Sequence, residues 1–162
     1  MENQNSGREL QRMVRINEEI KSVVAVAFKI NLMAMNAIFL AKRAGQTALG
    51  FGVLSNELRQ FATNLQKQMD VLREMIDAIV TARSGDAFQN SSDQTTAQNR
   101  RLDQVIADTV QMVDLGGVLA RSAKIEAAYG GDFSSSLMQV STDFEQTIGK
   151  IQQSLSVLTG YR

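Results

Sequence analysis

Cysteine, histidine, tryptophan and proline are all absent from this chain of 162 residues. Without cysteine there are no disulfides and no thiolate chemistry, which fits a reducing compartment. Without histidine the commonest general base and metal ligand is gone, and the Glu-x-x-His pairs of helical metal centres cannot occur. No catalytic, cofactor-binding or metal-binding residue is expected, and the chain is not read as an enzyme. An excess of either charge is lacking too, with 17 basic and 17 acidic side chains. No basic stripe is present to neutralise phosphates, so neither nucleic acid nor an anionic membrane is the expected partner. With no proline, nothing forces a break in a long helix.

What is present is helical periodicity. The stretch Val23 to Ala41 is apolar enough to raise the question of a membrane span, but Lys29, Asn31 and Asn36 interrupt it. A lysine in mid-bilayer is costly, so no span is expected. The first residues, Met1 to Gly7, are polar and lack the basic-then-apolar order of a signal peptide. A cytoplasmic location follows as an expectation.

Steps of three and four from Met13 reach Ile16, Ile20, Val23, Ala27, Ile30, Ala34, Ala37, Ala41 and Ala44, all apolar. This is one long seam of coiled-coil type. Gly45 is expected to stop it and Gly50 to close a short turn. A second seam runs Phe51, Leu54, Leu58, Phe61, Leu65, Gln68, Leu72, Met75, Ile79 and Ala82, broken only by Gln68. Residues 8–44 and 51–83 therefore read as two long antiparallel helices. The polar segment after them reads as a loop.

The remainder repeats the first hairpin. Adding 86 to the first seam gives Asn99, Leu102, Ile106, Thr109, Val113, Gly116, Ala120, Ala123, Ala127 and Gly130; adding it to the second gives Leu137, Val140, Phe144, Thr147, Ile151, Ser154 and Leu158. No gap is needed, and Ser55/Ser141 and Gly45/Gly131 are among the identities. The expected fold is all-α: one domain, an antiparallel four-helix bundle of coiled-coil type made of two repeated hairpins. Hairpin one spans 8–83, the loop 84–98 and hairpin two 99–159. Gly116-Gly117 predicts a local irregularity in the third helix.

The first helix carries a second apolar stripe. Phe28, Leu32, Met35 and Phe39 are spaced by four, three and four, on a face of the helix apart from the seam. That apolar face is wider than one bundle contact needs, so it is expected to meet a partner, a second copy, or the core of a wide bundle. The counterparts of Phe28, Met35 and Asn36 in the second hairpin are Asp114, Arg121 and Ser122, with Val118 and Ile125 still apolar. Only one side of the repeat therefore reads as binding-competent.

The segment Val26 to Arg59 also resembles the hairpin tip of the methyl-accepting chemotaxis proteins. The resemblance rests on Asn31, Ala34-Met35-Asn36-Ala37, Ala41, Arg43-Ala44-Gly45, Gly50-Phe51, Val53, Glu57 and Arg59, which run without a gap over about a fifth of the chain. Lys124 to Gly131 is a fainter echo. In that family two chains supply the tip bundle, so one chain here looks like a built-in mimic of the dimer. The resemblance implies a soluble receptor-like module that docks a chemotaxis coupling protein or histidine kinase, or inserts among receptors. It implies that Phe28, Leu32, Met35, Asn36, Phe39, Leu40 and Arg43 meet the partner, and that Gly45, Gly50, Phe51, Glu57 and Arg59 shape the tip. Any stimulus would then arrive through a partner, which could recruit the chain to membrane-associated arrays.

The departures count as well. Leu40 stands where the family has a Glu that contributes to polar trimer contacts, and Lys42, Ala48 and Leu49 also differ. Leu40 and Leu49 favour the other reading, a structural bundle that self-associates and has lost kinase control. The pairs Glu18-Glu19 and Glu145-Gln146 have poor flanks for adaptation sites and read as solvated helix faces.

Overall fold

The computed structural model describes residues 2–85 and 92–159. It is all-helical, with no strand among the described residues. Three long helices, α1 (Glu2–Ala44), α2 (Leu49–Gly85) and α3 (Ser92–Ala127), are followed by the shorter α4 (Ser134–Thr159). Helix α1 packs along both α2 and α4, and α3 along both α2 and α4.

The turns form where glycine permits them. A 3-10 turn over Gly45–Ala48 joins α1 to α2, and another over Gly131–Phe133 leads into α4. Gly45 (φ 80°) and Gly131 (φ 60°) are the two described residues with left-handed backbone. A side chain would be strained there, whereas glycine ends a helix in this conformation readily. The two positions are 86 residues apart.

Every α1 seam residue from Met13 to Ala41 is buried, and Ala44 is half-buried. Toward the turns the seam narrows to Ala34, Ala37 and Ala41 on α1 and Ala120, Ala123 and Ala127 on α3, all buried. Small side chains leave room for backbones to approach closely at this end.

Several boundaries and one register differ from the sequence reading. Helix α1 starts at Glu2 rather than residue 8, and α3 starts at Ser92, so residues 92–98 of the expected loop are helical. Polarity drew that loop too long. The segment 92–98 contains no glycine or proline, and a helix propagates through polar residues once its neighbours are packed. Residues 84–85 of that loop are helical too, as the end of α2, and the remainder, 86–91, lies outside the described residues. Gly50 is already inside α2 and does not close the turn. Helix α3 is continuous through Gly116-Gly117, with no irregularity.

The α2 seam is also displaced at alternate positions. The buried set is Phe51, Ser55, Leu58, Ala62, Leu65, Met69, Leu72, Ile76 and Ile79, together with Phe61. Leu54, Gln68, Met75 and Ala82 are half-buried at its edge. A step of four before three replaces three before four, which puts Met69 in the core. It leaves Gln68 to donate from Nε2 to the Val105 carbonyl at 3.4 Å. In α4 the same displacement buries Ser141, Ile148 and Leu155 and leaves Val140 and Ser154 half-buried. Ser55 and Ser141 are fully buried, and each hydroxyl donates to the carbonyl four residues back, Phe51 and Leu137, at 2.9 Å.

One helical stretch within residues 7–82 is long and apolar enough to cross a membrane by length and composition alone. A helix that contributes to a soluble core passes the same test, and Lys29 stands exposed on this one.

Candidate docking site at the hairpin tip

Helix α1 presents two faces near the tip because its apolar residues exceed what one seam absorbs. The seam goes inward, and the second stripe does not. Phe28 is 57%, Leu32 49%, Met35 37% and Phe39 60% exposed. A wide core is therefore excluded as the place of these four side chains. Asn36 and Arg43 are exposed beside them and Leu40 is half-buried at the margin. The stripe, with its polar border, forms one continuous surface along the last turns of α1.

The residues expected to shape the tip fall into separate roles. Phe51 is fully buried and anchors α2 beneath the turn. Gly45 supplies the left-handed residue. Gly50 allows a close approach from α3, since a Cβ there would lie 2.5 Å from Glu126 Oε2. Glu57 and Arg59 are exposed. Arg43 and Glu57 form no ion pair with each other.

A feature that sequence reasoning missed lies on the neighbouring side of α1. A groove of 550 Å³ runs between the ends of α1 and α2, bordered by Ile38, Lys42, Gln46, Leu49, Val53 and Glu57. At about 100° per residue, Ile38 and Lys42 sit between the stripe and the seam, so groove and stripe adjoin. Leu49 and Val53 are 70% and 58% exposed. Their spacing of four was the signal available, but the turn was expected to extend through Gly50, which kept Leu49 from being read as helical.

The outer face of α3 is tied down differently. Gln152 on α4 donates to Asp114 at 3.1 Å, and Lys124 pairs with Glu145 at 3.7 Å. Leu115, Val118 and Ile125 are exposed there, with Arg121 interrupting them, and Tyr129 is exposed just beyond the helix. Among the described residues no group of three or more carboxylates gathers in a way that could hold a metal ion. What this end of the molecule offers is apolar contact area with a polar border.

Comparison with known proteins points to one group. An aerotaxis receptor of Escherichia coli (strain K12) is 30% identical over 102 residues, 63% of this chain and 19% of the receptor. The methyl-accepting chemotaxis protein CtpH of Pseudomonas aeruginosa is 24% identical over 148 residues, 86% of this chain and 26% of its own length. The biofilm dispersion protein BdlA of the same organism is 33% identical over 92 residues, 56% of this chain and 22% of that protein. The chain thus spans about a fifth to a quarter of the length of these relatives. No family model and no solved structure matches it. With the tip motif of Val26 to Arg59 and sequence similarity along most of its helices, the chain holds a domain like that of the methyl-accepting chemotaxis proteins.

Proposed function

We propose that this chain is a cytoplasmic, non-enzymatic chemoreceptor-like signalling module. Its four helices close into an antiparallel bundle of two related hairpins, and the tip of hairpin one binds a chemotaxis coupling protein or histidine kinase, or receptors in an array. The observation that carries the reading is the exposed stripe Phe28, Leu32, Met35 and Phe39 on the segment that matches the receptor tip. Burying such a stripe against a partner stabilises the complex by roughly 25 cal/mol per Å² of apolar area, before the costs of association. Methionine within the stripe lets the surface adapt to its partner. The two-hairpin reading is supported by the shared 86-residue offset of the left-handed glycines, the back-bonded buried serines and the α2 and α4 seams.

The test is calorimetric titration of this protein with the coupling protein of the same organism, alongside the Phe39→Glu variant. The expected outcome is micromolar binding by the native sequence, lost in the variant, with melting temperature unchanged because Phe39 is exposed. Absence of binding by both forms would sink the docking reading.

Self-association is a second reading, favoured by a specific observation. Leu49 is the most exposed of these large apolar side chains and borders the same surface. In this reading a second copy covers the stripe and groove, and kinase control is lost.

A further inference from the structure

The two hairpins differ where they meet, and the differences are complementary. In α3, Gly116 faces the end of the Phe61 ring from α2. A Cβ at 116 would lie 2.6 Å from Phe61 Cζ and 2.8 Å from both Cε atoms. The 86-residue correspondence carries this pair to Ile30 on α1 and Thr147 on α4, both buried. The Thr147 hydroxyl donates to the Asp143 carbonyl at 2.7 Å and lies 3.8 Å from Met33 Sδ on α1. On one side of the fold a large ring meets glycine; at the two positions that correspond to them, a branched side chain stands on α1 and a small one on α4.

We infer that this layer makes each hairpin the partner of the other and rejects a second copy of itself. The inference rests on the two-hairpin reading above and not on the docking reading. Pairing hairpin one with the same hairpin of another chain would set Phe61 against Ile30 twice. The ring and the branched chain would then compete for one space, which overpacks the core. Pairing hairpin two with itself would set Thr147 against Gly116 twice and leave voids. Only the mixed pair fills both contacts.

Contacts nearer each end of the fold point the same way. At the tip, Glu126 lies over Gly50, whose counterpart Ser136 carries the Cβ that would press on the carboxylate. Toward the other end, Arg12 pairs with Asp103, and Asn99 Nδ2 donates to Glu9 Oε1 at 3.2 Å. The counterparts of Asp103 and Asn99 are Asn17 and Met13, so pairing hairpin one with itself loses both contacts. Specificity comes from the alternatives being mismatched as much as from the native contacts being good. The chain closes on itself and does not exchange hairpins with a second copy.

The experiment places a protease site between α2 and α3 in the full chain and cuts it after folding. The two hairpins, of different mass, can then re-pair, and native mass spectrometry reads which pairs form. The cut native sequence is expected to keep only mixed pairs on prolonged incubation. The double variant F61T/G116I gives both hairpins the isoleucine–threonine arrangement and is expected to form all three pairs, with the mixed pair still favoured by the contacts toward each end. In uncut protein each single substitution is expected to lower the melting temperature by roughly 5 °C or more, with most of that loss recovered in the double variant. Redistribution of the cut native protein into all three pairs would overturn the selectivity. A stable double variant that still forms only mixed pairs would overturn this layer as its source. A double variant that recovers none of the single losses would show that the two contacts are not equivalent. That outcome removes the two-hairpin reading and leaves the docking titration untouched.

Discussion

Gly45 and Gly131 show how much a single residue settles in this chain. Each takes a left-handed backbone that a Cβ would strain, and nothing within 4 Å would obstruct the added atom itself. The expected effect of Gly45→Ala or Gly131→Ala is therefore conformational and not steric, a loss of about 1 kcal/mol each in urea titration. Similar losses at the two sites are expected, because the two turns use glycine in the same way. Both residues were legible in the sequence, since a glycine after a helical seam is a recognised stop. Gly50, Gly116 and Gly130 were not, because their use depends on what approaches them. Glu126, Phe61 and Leu137 respectively lie where a side chain would otherwise sit.

Along the helices, the deciding fact is register. In α1 the steps of three and four from Met13 landed on the buried residues throughout. In α2 and α4 they landed on every second one, and on Phe61 and Thr147 besides, because a strict seam count cannot tell which of two adjacent residues turns inward. Met69 against Gln68 decides the matter. Met69→Ala is expected to cost about 2–5 kcal/mol in chemical denaturation, as deletion of a buried side chain does. Gln68→Ala is expected to cost no more than about 1 kcal/mol, the worth of one half-exposed hydrogen bond. Equal costs would restore the register counted from the sequence. The early start of α3 has a similar origin. Polar composition marks a loop only where something breaks the helix, and no residue in 92–98 does.

Across the whole molecule, balanced charge and an uncovered apolar face act together. With 17 charges of each sign there is little net repulsion between copies, and the stripe and groove at the tip are open to contact. Light scattering across a concentration series separates the two functional readings. A monomer whose mass is unchanged by the pair Phe28→Asp and Phe39→Glu supports a docking surface kept for another protein. A concentration-dependent oligomer that these substitutions dissolve supports self-association. Exposed surface ion pairs contribute about 0–1 kcal/mol each. Arg12–Asp103 therefore matters for which helices align more than for how tightly they hold.

Composition and periodicity alone determined that this is an all-helical chain without thiol or imidazole chemistry, that its α1 core runs from Met13 to Ala41, and that a second apolar stripe lies on another face of that helix. These follow because helical geometry maps linear spacing onto faces. The receptor resemblance was likewise legible in Val26 to Arg59. Tertiary structure alone decided that the stripe stays exposed, that a groove beside it is bordered by Leu49 and Val53, and that Phe61 fits against Gly116. Exposure and complementarity are properties of two elements at once, and the spacing within one helix carries no record of what its neighbour leaves uncovered.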